Sequence, residues 1–129
     1  MDAIGIAASA LNTNQAWLNA ISNNIANINT AKPTSGSAFQ AEYVVAQEQA
    51  GNNGVGVAGI AHGSAQGKLA YDPSNPLADK DGYIRMPDID LGEQMSSMIM
   101  AQRGYQASAA VVDRAKEPYQ AALQIGKNA

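Results

Sequence analysis

The chain has 129 residues, a net charge of -3 and no cysteine. That length accommodates one ordinary domain with a modest core. The scattered charges lack the concentrated Lys/Arg footprint of a nucleic-acid binder, and the missing thiols exclude disulfides, zinc-thiolate centres and cysteine nucleophiles.

The first residues, MDAIGIAASALN, have no basic start, and their apolar run is broken by Gly5 and Ser9. No segment approaches the about eighteen consecutive apolar residues of a membrane span, so neither a cleaved Sec-type signal nor membrane insertion is expected. Ile4, Leu11, Leu18 and Ile25 recur at intervals of seven, with a second row at Ala7, Asn14, Ile21 and Ile28. This spacing predicts an amphipathic coiled-coil helix over residues 1–31 that ends near Asn29, because Pro33 disfavours helical geometry at Lys32. Its last turns, SNNIANINT, carry Asn23, Asn24 and Asn27 among Ile21, Ile25 and Ile28. Asparagine is a mediocre helix former, so this segment is expected to need a neighbour whose contact satisfies the amides in one register. Each such amide is expected to contribute one hydrogen bond of roughly 1 kcal/mol.

Residues 32–87 change character. AFQAEYVVAQEQ, then AGNNG, then VGVAGIA predict a short β-hairpin around an Asn-Gly turn. KLAYDPSNPLADKDGYIRMP, rich in proline, reads as an extended loop with short extended pieces at Leu69 to Tyr71 and Tyr83 to Arg85. The second helix, over residues 88–129, opens where Asp90 can cap and Glu93 stands three residues later. Period seven then returns as Leu91, Met98, Tyr105, Val112 and Tyr119, beside Met95, Gln102, Ala109, Lys116 and Leu123. Pro118 is expected to remove one backbone bond and bend the helix near Arg114. The fold class is therefore mainly α with a small β insertion: one unit, 1–129, whose long terminal helices pair as a coiled coil.

Catalytic chemistry finds no footing. The single histidine, His62, lies in a Gly-rich segment without a nearby carboxylate. DKDG at Asp79 to Gly82 fails as a calcium loop, because the register puts Leu77 at the first ligand position, and an Asp-Gly turn explains it. GNNGVGVAG has the glycines of a phosphate loop without its Lys-Ser/Thr. Neither a metal nor a cofactor is expected. Met95, Met98 and Met100 read as gap-filling core or as a binding groove.

Three segments together, ALNTNQAWLNAISNNIANINT, YDPSNPLADKDGYIRMPDIDLGEQM and AQRGYQAS, resemble the rod proteins of the bacterial flagellar basal body, nearest to a proximal-rod member. The resemblance covers nearly the whole chain apart from the hairpin region. It implies a non-enzymatic subunit that stacks helically with itself and with other rod subunits into the shaft crossing the periplasm. It further implies export by the flagellar type III apparatus without a cleaved signal peptide. In such proteins the terminal helices form the inner layer, while the middle segment decorates the outside or bridges to neighbours. The expected assembly interface comprises Leu11, Leu18, Ile21, Asn23, Asn24, Ile25, Asn27 and Ile28 of the first helix. From the second helix it takes Met95, Met98, Tyr105, Val112 and Leu123. Tyr71, Pro73, Asn75 and Pro76 are the expected inter-subunit arm. Ser108, Asp88 and Pro118 depart from the family's usual residues. The competing reading is a soluble helical adaptor or export-chaperone-like module that uses the methionine-lined groove.

Overall fold

A computed structural model describes residues 3–129. The chain order is α1 (Ala3–Ala26), β1 (Glu42–Glu48), β2 (Val55–His62), β3 (Lys68–Tyr71), β4 (Tyr83–Met86) and α2 (Leu91–Lys127). β1 pairs with β2 and β3 with β4, both antiparallel, giving two separate two-stranded sheets. The architecture is thus mainly α with a small β insertion, as the sequence predicts. α1 and α2 pack along one another, and the first hairpin lies against α1.

Helix ends follow local chemistry. α1 stops at Ala26, three residues before the expected Asn29, and residues 27–29 form a turn. Asn27 serves that exit: its Nδ2 donates to the Asn23 carbonyl at 2.9 Å, and its Oδ1 accepts from Thr30 Oγ1 at 3.2 Å. At the start of α2 the Asp90 carboxylate accepts from the Glu93 amide at 2.7 Å, the expected cap. α2 remains helical through Pro118 to Lys127. The carbonyl of Arg114 that loses its partner there sits in an exposed turn where water can replace the bond.

The first hairpin appears where expected, with a longer connection than a two-residue turn. Gln49 N donates to Gly54 O at 2.8 Å, and Gly51, Asn52 and Gly54 all adopt positive φ between them. A bulge at Ala58 shifts the register between Val45 and Ala46. Along α1, the hairpin runs from Asn24 at its base to Ser9, whose Oγ accepts from the Val55 amide at 3.1 Å. Fifteen residues of helical rise give about 22 Å, and seven strand residues extend about 23 Å, so hairpin and helix match in length.

The second region needs a correction. Its two short extended pieces are not isolated segments in a loop but the paired strands β3 and β4, with Tyr71 facing Tyr83 at a ring-centroid distance of 5.4 Å. Pro87 follows β4 directly, while Pro73 and Pro76 occupy the connection between the two strands. There Asp79 organises the turn: its Oδ1 accepts from the amides of Asp81 and Tyr83, each at 2.9 Å, and its Oδ2 from Thr34 Oγ1 at 3.0 Å. The Tyr83 amide is the foremost cause that lowers the Asp79 carboxyl below the usual carboxylate range, aided by Thr34, Asp81 and Gly82. Gly82, at φ 86°, completes the predicted Asp-Gly turn.

The core gathers where the ends of α1 and α2 meet the hairpin bases. Its buried apolar residues include Ala20, Ile21, Ala38, Ala41, Ile84, Ile89 and Ala101. Alanine predominates, and among the described residues the largest fully buried side chain is Asn24.

Candidate assembly interface

Asn24, 1% exposed, joins three elements. Its Oδ1 accepts from the Glu42 amide at 2.7 Å while its Nδ2 donates to the Glu42 carbonyl at 2.9 Å. A primary amide carries a donor and an acceptor in the geometry of a peptide unit, so Asn24 pairs with β1 as one residue of a neighbouring strand would. The second Nδ2 proton goes to Gln94 Oε1 at 3.0 Å, on the first turn of α2, and Gln94 is itself 3% exposed. Asn23 alongside donates to Glu42 Oε1 at 3.1 Å. The expectation that a covered amide must find specific partners is met, and those partners lie within the chain. Sequence reading missed Glu42 and Gln94; the one available signal was a glutamine on an otherwise apolar stripe of a helix.

From this node the helices run antiparallel. A Cβ on Gly104 would stand 2.7 Å from Asn14 Oδ1, which places these residues face to face. Farther along, Ala7 and Ala10 of α1 share an apolar groove with Ala107, Ser108 and Val111 of α2. The seam inside the chain therefore uses Ala7, Asn14 and Ile21 of α1, one of the two rows of the expected stripe, and on α2 it uses Gln94, Ala101, Gly104 and Ser108. The expected α2 row of large residues does not fill it. Met98 and Val112 are half-buried beside it, while Met95 (54% exposed), Tyr105 and Leu123 face outward together with Leu91 and Tyr119. Small residues win the centre because they let the helix backbones approach closely, which a methionine or tyrosine row would prevent.

On α1, Ile21 is buried, Leu11, Leu18, Ile25, Asn27 and Ile28 are half-buried, and Asn23 is exposed. Of the expected arm, Tyr71, Pro73 and Pro76 are exposed, and Asn75 is held in the turn by Asp72, its Nδ2 lying 3.3 Å from Asp72 Oδ2. The structure brings Asn23 and Asn24 into one polar node, and it leaves Met95, Tyr105, Leu123 and Tyr71 apart from one another on the surface. Ser108 sits in the interhelical groove, and Asp88 forms an ion pair with Lys68 at 3.2 Å. Among the described residues there is no group of three or more histidines, cysteines or carboxylates able to hold a metal ion, and no helix long and apolar enough to cross a membrane.

A long antiparallel helix pair with small residues at its seam, a first hairpin lying along α1 and a second, separate hairpin leading into α2 define a two-helix class of subunit with a small β insertion. The sequence matches the family model for flagella basal body rod protein over residues 4–34, and that for the flagellar basal body rod FlgEFG protein C-terminal region over residues 80–125. The chain belongs to the flagellar basal-body rod protein family. It is 36% identical over 126 residues to flagellar basal-body rod protein FlgC of Escherichia coli O157:H7, covering 95% of this chain and 94% of that protein. The same figures hold for FlgC of Salmonella typhimurium. FlgC of Borreliella burgdorferi is 31% identical over 143 residues, again with 95% and 94% coverage. The two family matches coincide with α1 and with the β4–α2 region, so they include Asn24 and Gln94 of the node, while Glu42 of β1 lies outside both.

Proposed function

We propose that this chain is a structural subunit of the proximal rod of the flagellar basal body, without a catalytic role, and that it polymerises helically with itself and other rod subunits. The carrying observation is the division of α2 into two stripes. Small residues face α1, while Leu91, Met95, Tyr105 and Leu123 face solvent along its length. These large apolar side chains stand exposed at intervals along one long helix, and burial of each against a neighbouring subunit contributes on the order of 1.5–3 kcal/mol. In the rod, residues 1–31 and 88–129 form the inner layer, with neighbouring helix pairs packed side by side in coiled-coil fashion. Residues 32–87 face outward and bridge to adjacent subunits through Tyr71, Pro73, Asn75 and Pro76. Leu11, Leu18, Ile25 and Ile28, half-buried in the monomer, flank the α1 side of that contact.

The shaft crosses the periplasm, and the subunit reaches it through the flagellar type III export apparatus without a cleaved signal peptide. The absence of cysteine supports this route, since a chain threaded unfolded carries nothing to cross-link. Neither nucleic acid nor a bilayer is a partner in this reading.

Met95→Asp tests it. The side chain is more than half exposed, so the variant should fold and be exported, yet be excluded from purified basal bodies, with loss of motility. Normal incorporation would remove the α2 stripe from the interface.

A further inference from the structure

Two surfaces of the molecule are complementary and cannot meet within one chain. One is the outer face of the second hairpin. Tyr71 and Tyr83 stack there edge to face beside Leu69, with Tyr71 67% exposed, while Ala70 and Ile84 point inward. The rim of this face is acidic. Asp72, Asp79 and Asp81 surround the tyrosines, and the hydrogen bonds to Asp79 favour its ionised form. Of the hairpin's cations, Lys68 is paired with Asp88, and the Arg85 guanidinium donates to the carbonyls of Gln66 and Thr34, which leaves Lys80.

The other surface is the far end of α2. Every residue from Lys116 onward is exposed, with Tyr119 at 68% and Leu123 at 63%. Lys116, Tyr119 and Gln120 border a shallow pocket with Ile4 of α1, and beyond it Gln120, Leu123, Gln124 and Lys127 line a surface made by α2 alone. Lys116, Leu123 and Lys127, spaced by seven and then four residues, fall on one stripe with Tyr119 beside it. Two lysines therefore flank an apolar pair, and Glu117 lies about 100° around the helix from Lys116.

We infer that the Tyr71/Tyr83 face of one subunit receives the Lys116–Lys127 end of α2 from a second copy. Apolar side chains meet the tyrosine pair, and the lysines reach the aspartate rim. The contact rests on the rod-subunit reading and gives the arm a specific occupant. The 37 residues of α2 extend about 55 Å, and the second hairpin joins at its first turn, so the two surfaces stand at opposite ends of the helix. The pairing is head to tail: each copy offers one surface of each kind, and the contact propagates.

The chain's lack of cysteine makes the test direct. Full-length Tyr71→Cys chains are co-expressed with differently tagged Tyr119→Cys or Leu123→Cys chains in cells lacking the native copy, and basal bodies are purified and oxidised. A disulfide between unlike chains, which requires Cα atoms within about 7 Å, is the expected result. Unlike chains that are both incorporated but unlinked, or linked only to their own kind, overturn the docking and leave the rod reading intact. Absence of the unsubstituted chain from basal bodies overturns both. Charge reversal supplies a second readout. Asp81→Lys and Lys127→Glu should each lower incorporation by about two- to fivefold, in keeping with exposed ion pairs, and together restore it. Singles that have no effect, or a double variant that is not restored, contradict the contact.

Discussion

Asn24→Ala removes three hydrogen bonds at once: two to the Glu42 backbone and one to Gln94 Oε1. At about 1 kcal/mol each, with the Gln94 amide left buried beside an empty site, the loss is roughly 3 kcal/mol, offset by about 0.5 kcal/mol of improved helix propensity. The net destabilisation of about 2–3 kcal/mol exceeds the single bond of roughly 1 kcal/mol that the sequence suggests, because the amide answers both backbone groups of a strand residue. Asn24→Asp keeps the shape but replaces the donor by an oxygen facing the Glu42 carbonyl and Gln94 Oε1, so it should be worse than alanine at neutral pH. Urea unfolding of the full chain, followed by far-ultraviolet circular dichroism, measures both. Adding Gln94→Ala completes a double-mutant cycle with an expected coupling of about 1 kcal/mol. An Asn24→Ala chain within about 0.5 kcal/mol of the parent would refute the strand-mimic account.

Gly67→Ala should destabilise by about 2 kcal/mol or more, since φ is 59° and a Cβ would lie 2.1 Å from the Met86 carbonyl oxygen, whereas Gly126→Ala meets nothing within 4 Å and should be neutral or slightly stabilising; unfolding midpoints compare them. Gly104→Val should push α1 and α2 apart for about 1–3 kcal/mol, and Asn14→Ala should recover part of that loss in the same assay. The lowered Asp79 pKa means that its ionised form stabilises the native state above the ordinary carboxylate value of 3.8, and that this contribution disappears as pH falls through the lowered value; Asp79→Asn should flatten that part of a stability-against-pH curve measured between pH 2 and 6.

The features legible in the sequence are those written locally. Asp90 with Glu93 three residues on and the Asp-Gly pair at Gly82 each act within a few residues, and each appears where expected. What was not legible depends on distant partners. Asn24 and Gln94 lie 70 residues apart, and nothing near either announces the other. The α2 seam escaped notice for a different reason. Periodicity weights large side chains, whereas the helices meet across Ala101, Gly104 and Ser108, whose merit is what they lack. β3 and β4 were obscured because their four residues each are too short for a pattern, and the prolines of the connection dominate the reading.

Among the described residues the largest fully buried side chain is an asparagine, beside a core of Ile21, Ile84, Ile89 and alanines, while Leu91, Met95, Tyr119 and Leu123 are exposed. The polar node sets geometry, because a primary amide bonded to β1 and α2 tolerates only one register of the three elements. In the proposed assembly the exposed apolar side chains provide association, which is non-directional and takes its direction from the frame the node holds. The two classes of residue should therefore fail differently. A change at Asn24 or Gln94 disturbs the subunit before any contact with a neighbour, whereas a change at Met95 or Leu123 leaves the subunit folded and weakens only its joining. Four such side chains buried per subunit give a gross gain on the order of 10 kcal/mol, from which the loss of translational and rotational freedom takes at least about 4 kcal/mol. The remainder is modest for one pair of subunits. It becomes large only when each new subunit touches several neighbours, so association through these stripes favours a growing lattice over a free dimer.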